Sequence, residues 1–317
     1  GETEVKEPVE DGSLKLSHSL NLASDISVNY AVATSLLQDY DSYYLECVLP
    51  VYEGNTLVGS RSVIVTPVLK GNYYYFTLLG VTAVNMNDTI TATLHLTKDG
   101  AEFVTEAEEY SVATYAYAQL AKASASDKLK ALCASLLRYG ASAQIYKNYR
   151  TDSLADSAMT DAHRAYLTEL SAVTFGNNNR ELGDLNSPVV LWVGKSLLLD
   201  SKVTLRYVMN AASYTGRIED LTLRISYRDY TGAEKTATVT GAQPYGTAQG
   251  RYCFDFDGLL AAELRCVLSA AVYSGNTRLS NTLEYSVDTY GNNKTGTLDS
   301  LCRALIAYSD SALSYFN

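Results

Sequence analysis

From Ser13 to Val112 the apolar and polar residues alternate with a period of two, in short runs. The runs "LNLASDISVNYAV", "YYLECVLPVY", "SRSVIVTPVL", "YYYFTLLG" and "DTITATLHL" are rich in β-branched and aromatic residues. The turn signals "EGN", "KGN" and "KDG" separate them. Short strands at this spacing predict antiparallel sheets rather than a parallel α/β sheet. The period then changes to three and four: Leu129, Leu132, Cys133, Leu136, Tyr139, Gly140, Ala143 and Tyr146 form one face of an amphipathic helix. Thr114 is the expected N-cap of a shorter helix over Tyr115–Lys122. A third helix is expected after Thr160, with Ala162, Tyr166, Leu167 and Leu170 on one side.

The segment "GNNNRELGDLNSP" at Gly176–Pro188 reads as an interdomain loop. Strand patterning resumes from Val189 to Val287 in "SLLLDSKVTLRYVM", "DLTLRISY", "KTATVTG", "RYCFDFDG" and "CVLSAAVY". A closing helix carries Leu298, Leu301, Cys302, Leu305, Tyr308, Ala312 and Tyr315 on one face. This second half repeats the first. Tyr207 in "VTLRY" follows Tyr30 in "ISVNY" by 177 residues, and Tyr252 follows Tyr74 by 178. "EYSVATY" at 109–115 returns 175 residues later as "EYSVDTY", and "LCASLLRYGASAQIY" at 132–146 returns 169 residues later as "LCRALIAYSDSALSY". A period this long fits duplication of a whole domain, not a solenoid. The shorter last offset predicts that the second copy lacks the short helix.

The expected organisation is a disordered lead-in over 1–12, a first repeat over 13–178, a linker over 179–187 and a second repeat over 188–317. The expected fold class is α+β and mainly β: two antiparallel β-sandwich (Ig-like) lobes, each followed by packed α-helices.

Comparing the copies sorts the aromatic residues. Tyr74, Phe76 and Leu78 match Tyr252, Phe254 and Phe256, so that strand face is core. Leu45, Cys47 and Leu49 match Leu221, Leu223 and Ile225 in the same way. The pairs Tyr30/Tyr207, Tyr110/Tyr285, Tyr115/Tyr290, Tyr139/Tyr308 and Tyr146/Tyr315 are expected to pack helix against strands, with hydroxyls that need partners. Tyr73 and Tyr75 face the other way, opposite Arg251 and Cys253 in the second copy.

Composition narrows the function classes. The chain has 317 residues and a formal net charge of −10, with no cluster of Lys and Arg, which argues against a phosphate-backbone partner. No apolar stretch is long enough to span a bilayer, so membrane insertion is not expected. There are 26 Tyr against 6 Phe and 1 Trp. Tyr presents a flat apolar face with a hydroxyl that tolerates water, which suits a ligand surface as well as a core. The 5 Cys form no C-x-x-C pair, and buried thiols are the expectation for Cys47, Cys133 and Cys302. A bridge between Cys253 and Cys266 is left open by the sequence.

Catalytic signatures are missing. The three His (His18, His95 and His163) have no metal-ligand spacing, and no G-x-S-x-G, P-loop or G-x-G-x-x-G follows a strand. No cofactor or metal is expected. A glycosidase needs two carboxylates at a set separation, and no pair can be picked from the sequence. The unpaired aromatics are the better site candidates: Tyr40, Tyr43 and Tyr44 beside Asp39 and Asp41, Tyr73 and Tyr75, then Trp192, Tyr214, Tyr230 and Tyr245, with Arg251 as a polar group. Flat rings beside carboxylates and amides suit pyranose rings, whose C–H face the aromatic covers while polar groups take the hydroxyls.

The elements Ile26–Tyr30, Tyr74–Thr77, Met86–Leu94, Glu109–Tyr115 and Leu136–Tyr146, continued by "NYRTDSLAD" at Asn148–Asp156, resemble a module widespread in secreted and surface proteins of gut Clostridia. Two-lobed organisation and Tyr richness are also similar to the bilobed starch-binding domains of ruminococcal starch-adherence (amylosome) proteins. The resemblance implies a secreted or cell-surface protein, and attachment to a larger surface complex through regions beyond this sequence. The expected function is non-catalytic binding of a polysaccharide or oligosaccharide, with an α-glucan such as starch favoured, in a groove of or between two lobes. Its ligand-binding residues would be Tyr40, Tyr43, Tyr44, Tyr73, Tyr75, Trp192, Tyr230, Tyr245, Asp39, Asp41 and Arg251. The alternative is a structural or protein-interaction module of a multidomain surface protein.

Overall fold

The computed structural model describes residues 14–199 and 202–317, so the expected lead-in over 1–12 lies outside the described residues. The fold is mainly β and built from antiparallel sheets. The chain divides into two compact units, one ending at Leu167 and the other running from Thr168 to Asn317. That division falls before the expected linker over 179–187.

The first unit contains β1 (Ser17–Asn21), β2 (Ser27–Ala33), α1 (Thr34–Leu37), β3 (Ser42–Glu53), β4 (Thr56–Val65), β5 (Val68–Lys70), β6 (Tyr73–Leu78), β7 (Ile90–Lys98), β8 (Ala101–Val104) and β9 (Glu108–Tyr110). Then come α2 (Val112–Ala121), α3 (Asp127–Lys147) and α4 (Asp161–Arg164). One sheet has the order β1-β2-β6-β5 and the other β4-β3-β7-β8, with β9 also paired to β7.

The second unit contains β10 (Asn179–Glu181), β11 (Leu191–Leu199), β12 (Val203–Asn210), β13 (Leu221–Arg228), β14 (Glu234–Val239), β15 (Gln243–Pro244), β16 (Arg251–Phe256), β17 (Leu268–Ser274), β18 (Thr277–Arg278), β19 (Leu283–Tyr285) and α5 (Gly296–Phe316). Its sheets have the orders β11-β12-β16-β15 and β10-β19-β17-β13-β14, with β18 on β17. Each strand of the first unit thus has a counterpart ten places later in the same sheet position. The short helix α2 has no helical counterpart. A 3-10 turn at Val287–Gly291 takes its place.

Period two decides which side of each strand is buried. Val28, Tyr30 and Val32 on β2, Phe76 and Leu78 on β6, Leu45, Cys47 and Leu49 on β3, and Ala92, Leu94 and Leu96 on β7 are all buried. In the second unit Leu205 and Tyr207, Phe254 and Phe256, Leu221, Leu223 and Ile225, and Leu268, Ala270 and Val272 do the same work. Tyr30 and Tyr207 sit at the centre of these layers, and the hydroxyl of each has no hydrogen-bond partner in the protein, against the expectation from sequence. Their neighbours are rings: His18 lies edge-on to Tyr30 at 5.3 Å and Trp192 lies 5.8 Å from Tyr207.

Helix α3 begins where the Ser126 hydroxyl accepts the Leu129 N–H at 3.1 Å and ends at Asn148, in the left-handed conformation at φ +52°. It is buried nearly all round between Leu132 and Gln144. The chain after it folds back over it: Gln144 donates to the carbonyls of Arg150 and Ser153 and accepts the Ala155 N–H. Gly140 lets the helix come close to the 3-10 turn at Ala83–Asn85. A Cβ on it would stand 2.7 Å from Met86 Sδ and 3.3 Å from both the Ala83 carbonyl oxygen and Ala155 Cβ. At the same contact in the second unit α5 places Ser309, whose hydroxyl donates to the Ala261 carbonyl at 2.6 Å.

Four local expectations are corrected. The N-cap of α2 is Ser111, whose hydroxyl accepts the Thr114 N–H at 3.0 Å, so Thr114 lies within the first turn. The helix after Thr160 is only Asp161–Arg164 and buries no residue, so no packing extends it beyond its capping box with His163. The linker segment contains β10, paired with β19, and Asp184 in it accepts the Thr282 N–H at 2.9 Å. Tyr146 and Tyr315, in the last turn of each helix, are exposed, at 42% and 39%.

All five cysteines are free thiols, so Cys253 and Cys266 are not bridged. Burial pushes the Cys47 and Cys133 thiols up to about 12.

Two stability measurements follow from this packing. Tyr30→Phe and Tyr207→Phe each remove a buried hydroxyl that has no protein partner, so each is expected to leave the melting temperature unchanged or raise it. A drop of several degrees in either would show that the hydroxyl is satisfied. Gly140→Ala gains about 1 kcal/mol of helix propensity but overpacks against Met86 by about 1–3 kcal/mol. The expected net result in urea unfolding is a lower midpoint.

Candidate ligand-binding surfaces

The outward side of β6 is set by the alternation in "YYYFTL". With Phe76 buried, Tyr73 and Tyr75 must face out. Their rings are 6.3 Å apart, and Tyr73 is 46% exposed. Across the sheet Tyr73 is registered with Ala33 and Lys70, and Tyr75 with Ala31 and Val68. One strand edge of the pair is therefore flanked by methyl groups, the other by Val68, itself 68% exposed. Next along, the Thr77 hydroxyl donates to Asn29 Oδ1 at 2.7 Å. The result is a low aromatic strip with polar groups at both ends.

On the same face of the second unit Cys253 and its cross-strand neighbour Val208 are buried, with charged residues on either side of them. Arg251 lies beside Tyr245, whose N–H donates to the Arg251 carbonyl at 3.0 Å. Asp255 is held by Arg206 through two bonds of 2.8 Å. Tyr245 and Arg251 thus occupy the face that corresponds to Lys70 and Tyr73 in the first unit.

The remaining candidates are tied into the structure individually. Tyr43 turns inward against Tyr74 at 5.0 Å, and burial, followed by a hydrogen bond with Tyr74, pushes its hydroxyl up to about 12. Tyr44 points the opposite way and stacks on His95 at 4.7 Å and 7°. Tyr40 meets Phe103 edge-on at 6.3 Å. Asp41 accepts the Asp99 N–H at 2.9 Å and so locks a turn, while Asp39 is exposed. Trp192 is half-buried, its indole N–H donating to the Asn281 carbonyl at 2.8 Å. Tyr214 meets the Ser274 hydroxyl at 3.3 Å, and the Tyr230 N–H donates to Glu263 at 3.1 Å. Within each unit, only Tyr73 with Tyr75 and Tyr245 with Arg251 share an open surface. The other candidates do not assemble into one constellation.

A larger concavity lies where sequence reasoning named no residue. It is an open cleft of about 700 Å³ on the outward face of β14, β13 and β17. Its floor is made of Thr and Ser side chains, with Arg224 and Tyr273 at one end. The signal was present as outward-facing hydroxyls alternating with core residues in "LTLRIS" and "TATVT", but such alternation also describes any solvated strand face.

Among the described residues no group of three or more His, Cys, Asp or Glu is placed to hold a metal ion. No helix among them is long and apolar enough to cross a membrane. In comparison with known proteins, no family model and no curated protein sequence matches the chain.

The position of Trp192 generates a check. Trp192→Phe keeps the ring contact with Tyr207 but leaves the Asn281 carbonyl without its indole donor. The Ser280 hydroxyl still donates to that carbonyl, so the expected cost is that of one hydrogen bond, about 0.5–1.5 kcal/mol, read as a lower melting temperature. An unchanged melting temperature would return Trp192 to the list of available ligand-binding groups.

Proposed function

We propose that this is a non-catalytic carbohydrate-binding protein, secreted or on the cell surface, with an α-glucan such as starch as its favoured ligand. The observation that carries the reading is the Tyr73–Tyr75 strip, two adjacent tyrosines facing out beside alanines. A sugar ring can lay its C–H face on such rings while its hydroxyls reach Thr77, Asn29 and Lys70. The tyrosine pair is particular to the first unit, since the second unit has Arg251 and Cys253 at the same positions. The matching strand orders support a duplicated β-sandwich unit, and the duplication supports the resemblance to two-lobed surface modules.

A second reading, a structural or protein-interaction module, is favoured by another observation. The edge strands β4 and β5 expose Leu57, Ile64, Val68 and Leu69. Their counterparts β14 and β15 expose Glu234, Lys235, Thr236, Thr238, Gln243 and Pro244 instead. A long apolar edge is a pairing surface for another chain.

Affinity electrophoresis separates the two. The wild-type protein is expected to be retarded in gels containing soluble starch. The double variant Tyr73→Ala, Tyr75→Ala is expected to migrate as in a glycan-free gel, with its melting temperature within a few degrees of wild type. Unretarded migration of the wild type in every glycan gel would sink the carbohydrate reading and leave the interaction module.

A further inference from the structure

We propose that the second unit carries a separate trough for an oligosaccharide bearing anionic groups. The inference rests on the carbohydrate reading and extends it to a different surface. The trough follows β13. Thr222, Arg224 and Ser226 face outward along this strand, with Thr238 and Thr236 registered beside Arg224 and Ser226 on β14. On the other side Tyr273, Ala271 and Ser269 of β17 are registered with the same three residues. Neighbouring strands stand about 4.8 Å apart and alternate residues about 6.8 Å apart, so these hydroxyls form a lattice of donors and acceptors on a floor of small side chains.

The cleft of about 700 Å³ continues into one of about 460 Å³ that shares Ser226, Thr236 and Ser269 with it. From Thr222 to Arg228 the trough is about 20 Å long at roughly 3.4 Å per residue. That length takes several linked rings, not one small solute.

The charge is placed at one end. Arg224 is the only charged residue lining the larger cleft. Its guanidinium lies 4.1 Å over the Tyr273 ring, and Nη2 donates to the Gly275 carbonyl at 2.5 Å and to Asn276 Oδ1 at 3.2 Å. Among the described residues Arg224 takes part in no salt bridge, whereas Arg228 and Lys235 in the smaller cleft are paired with Glu234 and Asp229. The guanidinium is thus held in place by stacking and by a turn, and is not neutralised. A fixed guanidinium presents paired N–H donors to a carboxylate or sulfate at little entropic cost.

This arrangement selects the class of sugar. The one ring at that end, Tyr273, has Arg224 over one face, and that face is closed to stacking of a neutral pyranose. Recognition falls to hydroxyls and one cation. A densely charged polyanion is disfavoured by a chain of net charge −10. A sparsely charged saccharide, with an acid group near the Arg224 end and hydroxyls along the rest, fits both facts.

Isothermal titration calorimetry on the full chain tests this, with a trisaccharide carrying a single uronic acid as the carboxylate probe, a trisaccharide carrying a single sulfate ester as the second arm and maltotriose as the neutral comparison. Binding of an acidic probe is expected to weaken with added salt and to fall about tenfold or more in Arg224→Gln. Arg224→Lys is expected to retain part of it, and Thr238→Val to weaken it without removing any charge. Circular dichroism of each variant should match the wild type. Tyr73→Ala, Tyr75→Ala is expected to leave acidic-probe binding unchanged. Binding of only the sulfated probe supports the anionic class and assigns the ester as its source. If neither acidic probe binds while starch gels still retard the protein through Tyr73 and Tyr75, the trough inference falls alone. Unchanged binding in Arg224→Gln also overturns it. If no glycan, neutral or acidic, binds at all, the carbohydrate reading falls with it.

Discussion

A strand buried on one face can vary only on the other, and this constraint governs both units. The buried side of β2 and β6 carries Tyr30 and Phe76, and the buried side of β12 and β16 carries Tyr207 and Phe254. A one-residue slip in either strand would turn that aromatic layer into solvent. The opposite side is held less strictly, although Val208 and Cys253 on it are buried. There the same positions hold two tyrosines in one unit and an arginine with a cysteine in the other. Candidate ligand surfaces therefore arise where the fold exerts least control over residue choice.

Each unit also buries one aspartate, which fastens the chain where it leaves or enters the sheets. Asp88 accepts from Arg150 at 2.7 Å, Tyr149 at 2.6 Å and Asn85 at 2.8 Å, and so holds the segment that wraps back over α3. Asp288 accepts the Gly176 N–H at 2.6 Å and pairs with Arg265 at 3.1 Å. Arg265 in turn grips Asp310 on α5 and the Thr174 carbonyl. Fully satisfied charges of this kind contribute less to net stability than to fixing one arrangement, whereas removing the arginine leaves a buried carboxylate without its cation. The Asp288 cluster also explains why residues 168–178 belong to the second unit.

Elements with strong periodicity were legible in the sequence: the strands β2, β3, β4, β6 and β7, their counterparts, and the faces of α3 and α5. Elements fixed by a few long-range contacts were not. Strand β10 is three residues among Asn and Gly, and only its pairing with β19 makes it a strand. The segment after Thr160 has helical spacing but its helix, Asp161–Arg164, buries no residue. In the site, the parity that turned Tyr73 and Tyr75 outward could be read from residue alternation alone. The anchoring of Trp192 by the Asn281 carbonyl could not, because that partner lies in the loop between β18 and β19, far along the chain. The Thr and Ser lattice around Arg224 escaped notice for a related reason: hydroxyls spread over three strands gather into a cleft only when the sheet forms.

The contact between the closing helix and the 3-10 turn is met by two different solutions, Gly140 under Met86 in one unit and Ser309 bonded to Ala261 in the other. Each solution involves two segments far apart in sequence, so neither segment is portable by itself. A chimaera that grafts α5 onto the first unit would press the Ser309 hydroxyl towards the Met86 sulfur, and the reciprocal graft would leave the Ala261 carbonyl unmatched. Helix and turn therefore form a matched set. Swapping material between the halves of this chain, in evolution or in the laboratory, is tolerable only when both ends of that set travel together.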